Sequence, residues 1–200
     1  MTVVLETAAD GDRSALRVRP WLAADMPDLQ AAMACEYPTT GLGTHPDVAV
    51  PGPQRWSGPR NDQEAVLWLS GQDRGWECGD WLTFAVLDAS QNRVVGHVGL
   101  WNPDGGKVGI GERGEIGYWT AAGARGRGVA PAAVRAVTTW AFSSFGAERL
   151  PLIMLVHDLD NPASCRVADK SGYPFRELSP ANPPYWFTDG HIHLAKATAR

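Results

Sequence analysis

The stretch YWTAAGARGRGVAPAA, from Tyr118 to Ala133, constrains the fold more than any other part of the 200-residue chain. The alternating segment GEIGYWT reads as a strand, and it runs into three glycines and two arginines. An apolar helical pattern follows at once, with Val134, Val137, Trp140 and Ala141 on one face. Pro131 falls in the first turn, where a missing N–H costs little. A strand that passes through glycines into a helix N-terminus is an anion site by construction. The first amides of a helix lack intrahelical partners, and the macrodipole adds partial positive charge. Glycines let a phosphate approach the backbone, and Arg125 and Arg127 add mobile charge. The plain alternative for this stretch alone is a glycine turn with solvated arginines.

Two other phosphate loops are excluded by detail. GARGRGVA lacks the GK[ST] ending of a Walker loop. A dinucleotide fingerprint would follow the first strand of a βαβ unit, with a carboxylate roughly 20 residues on. Here the glycines follow the fourth strand in the order of the chain.

That order comes from the flanking patterns. Residues 1–13 read as a loose polar leader, and 14–200 as one domain. ALRVRPW alternates as a strand, and LAADMPDLQAAMA reads as a helix capped by Asp25, with Leu29, Ala32 and Met33 on one face. Residues 37–60 are too rich in Pro and Gly for regular structure. NDQEAVLWLSGQ is a second helix, with Asn61 and Glu64 in a capping arrangement and Val66, Leu67 and Leu69 as apolar surface. WLTFAVLD and NRVVGHVGLW form a hairpin about ASQN. LPLIMLV is a short buried strand. NPASCRVADKSG is a compact helix capped by Asn161, with Pro162 first and Gly172 at its end. YPFREL and HIHLAKA close as strands. The order is β-α-α-β-β-β-α-β-α-β-β, a mixed α/β fold on one twisted sheet.

Composition narrows the function classes. A formal charge of −4 without a basic run gives no reason to expect nucleic acid. No apolar stretch approaches the roughly 20 residues of a membrane helix. The N-terminus turns acidic too soon for a signal peptide. Cys35, Cys78 and Cys165 are odd in number and widely spaced, which points to reduced thiols and a cytoplasmic protein. His191 and His193 alternate on the last strand without a third ligand at suitable spacing, so no metal is expected.

Two motifs in order carry a resemblance. RGRGVA, Arg125 to Ala130, matches the [RQ]-x-x-G-x-[GA] pyrophosphate loop of the GNAT superfamily of acyl-CoA-dependent N-acyltransferases. NPASCRVADKSGY is similar to the N-x-x-S-x-x-V-x-x-K-x-G-[FY] segment of its ribosomal-protein alanine N-acetyltransferase (RimJ/RimL-type) branch, with Asn161, Ser164, Lys170, Gly172 and Tyr173 in register. RVRPWLAADMPDLQAAM and EIGYWT resemble that branch's first strand and helix and its fourth strand. Pro131 departs from the pattern, because it has no amide to offer a phosphate.

The resemblance implies a single-domain α+β fold. Its mostly antiparallel twisted sheet would be flanked by helices and splayed between the fourth and fifth strands. It implies acetyl-CoA as cosubstrate, no metal, and transfer of acetyl to a primary amine by direct attack; a homodimer is compatible with it. The pantetheine arm would pair with backbone at Trp119 and Thr120. The pyrophosphate would lie on the loop from Arg125 through Gly126, Arg127, Gly128 and Val129 to Ala130. Asn161 would meet the pantetheine amides and Ser164 the leaving thiolate, although both also read as helix-start residues. Glu115 on the fourth strand is the first choice of base, His157 at the end of LIMLV the rival. The acceptor is a peptide N-terminus or a small amine, with Tyr37, His45, Trp56, Trp68, Trp76, Tyr185 and Trp186 available to wall a pocket or simply to form core. A non-catalytic acyl-CoA sensor and a tryptophan-rich interaction module are the readings from other classes.

Overall fold

The computed structural model describes residues 3–34, 59, 61–102, 113–181 and 188–198. Tyr37, His45, Trp56, Cys35, Tyr185 and Trp186 lie outside the described residues, as does most of the glycine-rich link before the fourth predicted strand. The strands are β1 (Leu5–Thr7), β2 (Leu16–Pro20), β3 (Trp81–Asp88), β4 (Arg93–Trp101), β5 (Arg113–Thr120), β6 (Leu152–Asp158), β7 (Phe175–Ser179) and β8 (Gly190–Lys196). The helices are α1 (Met26–Ala34), α2 (Asp62–Cys78), α3 (Val129–Arg149) and α4 (Pro162–Ser171). All eight strands join one sheet in the order β1-β2-β3-β4-β5-β6-β8-β7.

Strand numbers run one ahead of the sequence reading because the expected loose leader contains β1. Leu5 pairs with Val18 and Thr7 with Leu16. Arg13 is buried, and its Nη1 donates to Thr7 Oγ1 and to the Ser14 carbonyl, each at 3.0 Å. Three residues are too few for an alternation to show in sequence, so tertiary pairing decides this strand.

Helix starts follow local chemistry with one exception. Asn61 accepts the Glu64 amide at 2.9 Å, as expected of a cap. Asp25 does not cap α1. It is buried, takes both guanidinium nitrogens of Arg19 at 2.7 and 2.8 Å, and accepts the Leu22 amide at 2.8 Å. A bidentate arginine outcompetes the helix amides for that carboxylate. On α2, Val66 and Leu67 are exposed, while Ala65, Trp68 and Leu69 do the packing.

Strand alternation divides the interior into two layers. On one face Phe84, Val98, Leu100, Ile116 and Leu155 pack against Val134, Val137 and Ala141 of α3. On the other, Ala85, Leu87, Val94 and Trp119 pack against Trp21, Met26, Leu29 and Ala65. Trp68 joins that second layer edge-on to Trp21, 5.2 Å between ring centres, as the core reading expected.

Every strand contact is antiparallel except β5–β6, which α3 connects as a crossover. That parallel pairing covers only Arg113↔Leu152, Gly114↔Ile153 and Glu115↔Met154. Beyond Glu115 each strand keeps its outer partner, β5 with β4 as far as Thr120 and β6 with β8 as far as Asp158. The sheet therefore splits from Glu115 onward, between the two strands where the resemblance placed the splay.

Candidate active site

The glycine turn closes the wide end of the split. Gly126 and Gly128 have φ of 76° and 79°, the left-handed region that an L side chain resists. A Cβ at Gly126 would meet nothing within 4 Å, and one at Gly128 only Arg13 Cδ at 4.0 Å. The chain therefore needs glycine here for backbone conformation rather than for room inside the protein. Gly128 is the residue from which α3 departs. Among the described residues, the amides from Gly126 to Ala130 donate no backbone hydrogen bond inside the protein. The arginines brace the turn: Arg125 Nε donates to the Thr120 carbonyl at 3.1 Å and Arg127 Nη2 to the Gly123 carbonyl at 3.0 Å.

Between this turn and α4 lies a cleft of about 550 Å³. Trp119, Thr120, Arg125, Gly126, Gly128, Val129, Ala130, Asn161 and Ser164 all border it, together with Arg166 and Lys170. Arg127 belongs to the turn but not to the cleft wall. Trp119 offers the cleft its backbone edge, because its ring lies in the opposite layer, stacked at 7° on His97. Amides at a helix start, three cationic side chains and an open strand edge suit a long phosphorylated substrate.

On α4 the two readings of the helix start separate. Asn161 Oδ1 accepts the Ser164 amide at 3.1 Å, so Asn161 is the cap. Ser164 needs no capping role, and its hydroxyl instead receives the Tyr118 hydroxyl at 2.8 Å. Burial pushes Tyr118 up to about 12, which keeps it a phenol able to donate. Tyr118 also lines the cleft. The sequence reading passed over it, although alternation from Ile116 puts it on the α3 side of β5, opposite Glu115 and Trp119.

Glu115 and His157 are not brought together. Glu115 sits on the α1/α2 side at the last β5–β6 pair, flanked by Trp101 on β4 and Met154 on β6. Burial pushes its carboxyl up to about 7, against a smaller opposing pull from Arg113. His157 lies on the α3/α4 side, in the same alternation as Ile153 and Leu155, and does not border the cleft. It is fully buried, and burial foremost holds its imidazole below its ordinary range. His97, paired with Trp119 on the same side of the sheet, is pushed down to about 3 by burial and accepts the Trp21 indole N–H at 3.1 Å.

The expected lack of a third ligand for His191 and His193 does not survive folding. His157 and Cys165 join them, with ligand atoms all within 4.8 Å of one another.

A family model described as an acetyltransferase (GNAT) domain matches residues 15–174. The chain belongs to the GNAT acetyltransferase family. No curated protein matches the sequence. Solved structures share the fold at low identity. Mycobacterium smegmatis RimJ in complex with CoA-disulfide superposes with a TM-score of 0.71 at 19% identity, over 98% of this chain and 87% of that one. Ribosomal-protein-S5-alanine acetyltransferase from Vibrio fischeri gives 0.71 at 17%, over 98% and 97%. The microcin C7 self immunity acetyltransferase MccE, in complex with acetyl-CoA and AMP, gives 0.64 at 12%, over 93% of each chain. The acetyltransferase domain thus spans both walls of the cleft, from β2 to the end of α4 and Tyr173.

Proposed function

We propose that this acetyltransferase moves the acetyl group of acetyl-CoA onto a primary amine by direct attack, with a peptide N-terminus as its acceptor. The observation that carries the reading is the split sheet with its groups arranged on either side. Unbonded amides lie at its wide end, Tyr118–Ser164 on the α4 side, and Glu115 where the strands rejoin. The pyrophosphate takes the amides of Gly126 to Ala130, less the N–H that Pro131 lacks. The pantetheine arm follows the β5 edge at Thr120 and Trp119 toward Glu115. Thr120 lies five steps of extended strand from Glu115, a reach of about 17 Å.

At the inner end the amine nitrogen bonds to the thioester carbon, and the carbon–sulfur bond breaks. The ammonium proton passes to Glu115, directly or through one water. Its raised pKa suits a base working near neutrality. The departing thiolate takes a hydrogen bond from the Ser164 hydroxyl, whose own oxygen is held by Tyr118. Acid and base then act from opposite faces of the sheet, so the amine and the leaving sulfur need not compete for space.

The acceptor class rests on likeness to the RimJ and ribosomal-protein-S5-alanine acetyltransferases. MccE, with AMP in its complex, supports a small amine as the second reading. Neither Cys78 nor Cys165 is in a disulfide, in keeping with a cytoplasmic protein. Release of CoA thiol from acetyl-CoA, followed over a panel of peptides and small amines, tests the proposal. Turnover on peptides supports it, and turnover on small amines alone moves the acceptor class. Tight acetyl-CoA binding without turnover would make the chain a sensor.

A further inference from the structure

Four ligand-bearing side chains that acetyl transfer does not use meet on the far side of α4 from the cleft. His157 on β6 stands directly opposite His191 on β8, and His193 follows two residues along the same face. Cys165, the neighbour of Ser164, reaches down onto them from α4. Its Sγ lies 3.4 Å from His157 Nε2 and 3.2 Å from His191 Nδ1.

Hydrogen bonds at the back of the rings fix which atoms point inward. His157 Nδ1 lies 2.8 Å from the Asp158 carbonyl, and His193 Nδ1 lies 3.0 Å from the Tyr173 carbonyl. A carbonyl only accepts, so each Nδ1 carries the proton and each Nε2 the lone pair. Those two Nε2 atoms face one another at 3.2 Å. The thiol proton of Cys165 can serve either His157 Nε2 or His191 Nδ1 but not both, and the Nε2 lone pairs of His157 and His193 point at each other. Backbone carbonyls behind the rings are also what orients metal-bound histidine.

The spacings suit an ion at the centre. Zinc bonds of about 2.05 Å to nitrogen and about 2.3 Å to sulfur, set tetrahedrally, give nitrogen–nitrogen edges of about 3.3 Å and sulfur–nitrogen edges of about 3.6 Å. Of the six edges, the Nε2–Nε2 distance of 3.2 Å and the sulfur–nitrogen distances of 3.4 and 3.2 Å lie near or a little inside those values. All six lie within 4.8 Å, so the outer rings draw in as the ion binds. Three imidazoles and a thiolate are a borderline-soft donor set of the kind zinc takes.

We propose that His157, Cys165, His191 and His193 form a closed, structural zinc site that clamps α4 to β6 and β8. Four protein ligands leave no open position, so the ion does no chemistry on substrate. On binding, Cys165 gives up its thiol proton to solvent as the sulfur–zinc bond forms, and the imidazoles coordinate through their lone pairs. The clamp holds the helix that carries Asn161 and Ser164, which is how the site would serve the cleft beside it.

The test uses the full chain, stripped with a chelator and titrated with cobalt(II) and then zinc(II). One equivalent of cobalt should give the visible bands of a tetrahedral site and a thiolate charge-transfer band, both abolished by zinc. Zinc should also raise the melting temperature. Cys165→Ser should remove the charge-transfer band, and Cys165→Ser or His191→Gln should weaken zinc binding at least about 100-fold, since even an outer partner of a ligand costs about 10- to 100-fold. A cobalt spectrum that is octahedral or absent in the unmutated protein would overturn the site. So would zinc affinity unchanged in the Cys165→Ser, His191→Gln double variant.

Discussion

Ser164 and Cys165 are consecutive on α4 and face two regions of opposite character. The Ser164 side opens on a cleft of about 550 Å³, across which the amides from Gly126 to Ala130 donate no backbone hydrogen bond among the described residues. On the Cys165 side the ring and sulfur atoms turn toward one another, His157 and His193 buried and Cys165 and His191 half-buried. On the two proposals, one helix would serve as substrate wall on one face and as structural anchor on the other. The difference teaches that a change on the cleft side should be read in rate or CoA affinity, and one on the cluster side in stability and metal binding.

The largest expected effect would break that division if it fell on the wrong side. Glu115→Gln should lower kcat by about 100- to 10,000-fold and remove a limb of the pH–rate profile that rises toward about pH 7. His157→Asn should keep that limb. A limb lost in the histidine variant and kept in Glu115→Gln would move the base to the cluster side. Stability supplies a second reading of the same carboxyl. From the ordinary value of 4.5 up to about 7 the unfolded chain gives up this proton while the folded chain keeps it, so stability falls with rising pH across that window and is level above it. Melting temperatures of Glu115→Gln should show a shallower fall over the same range.

Next in size is the Tyr118–Ser164 pair, proposed to face the leaving thiolate. Ser164→Ala should lower kcat by about 10- to 1000-fold, more than it raises KM for acetyl-CoA, because the contact matters chiefly as charge develops on sulfur. Tyr118→Phe should act in the same direction by less. The double variant should cost less than the product of the two, since the hydroxyls work as a unit. Independent, multiplying losses would show that Tyr118 acts elsewhere.

A smaller effect sharpens the role of the turn. Gly128→Val and Gly128→Ala both force a left-handed residue, at about 1–2 kcal/mol of strain. A new Cβ here has its nearest protein atom 4.0 Å away, so alanine meets no close neighbour, while β-branched valine carries the larger strain. Calorimetry with CoA on the folded variants should show the valine variant binding more weakly than the alanine variant. Equal affinity for the two would remove the phosphate from this loop.

The smallest effect concerns the cap. Asn161→Ala should cost about 0.5–2 kcal/mol in a denaturant melt through loss of its bond to the Ser164 amide. Asn161→Asp keeps a capping oxygen and should recover that stability. If CoA affinity does not recover with it, the side-chain nitrogen of Asn161 is what the substrate meets.

The cleft was legible because its parts are short contiguous segments with local rules. Glycines before a helix, a proline in its first turn, and an asparagine three residues before a serine each declare a backbone geometry from a few neighbours. The Asn61 cap was legible for the same reason. Asp25 was not, since Arg19 arrives from β2 to claim it. Tyr118 was within reach of strand alternation, but its partner Ser164 is 46 residues away, and only packing of α4 against β5 joins the two hydroxyls. Three residues of β1 carried too little pattern to outweigh a polar surrounding.

The sequence by itself determined the elements after β1, their order, the glycine turn before α3 and the Asn61 and Asn161 caps, because hydrogen bonding and φ preference act over three or four residues. Only the tertiary structure decided where β5 and β6 part, which face Glu115 and His157 each take, and that Cys165 meets three histidines. Those outcomes depend on strand register, and one step of register carries every side chain to the other face of the sheet. No local spacing encodes it. Pairing along the whole of β6 and β8 sets His157 opposite His191.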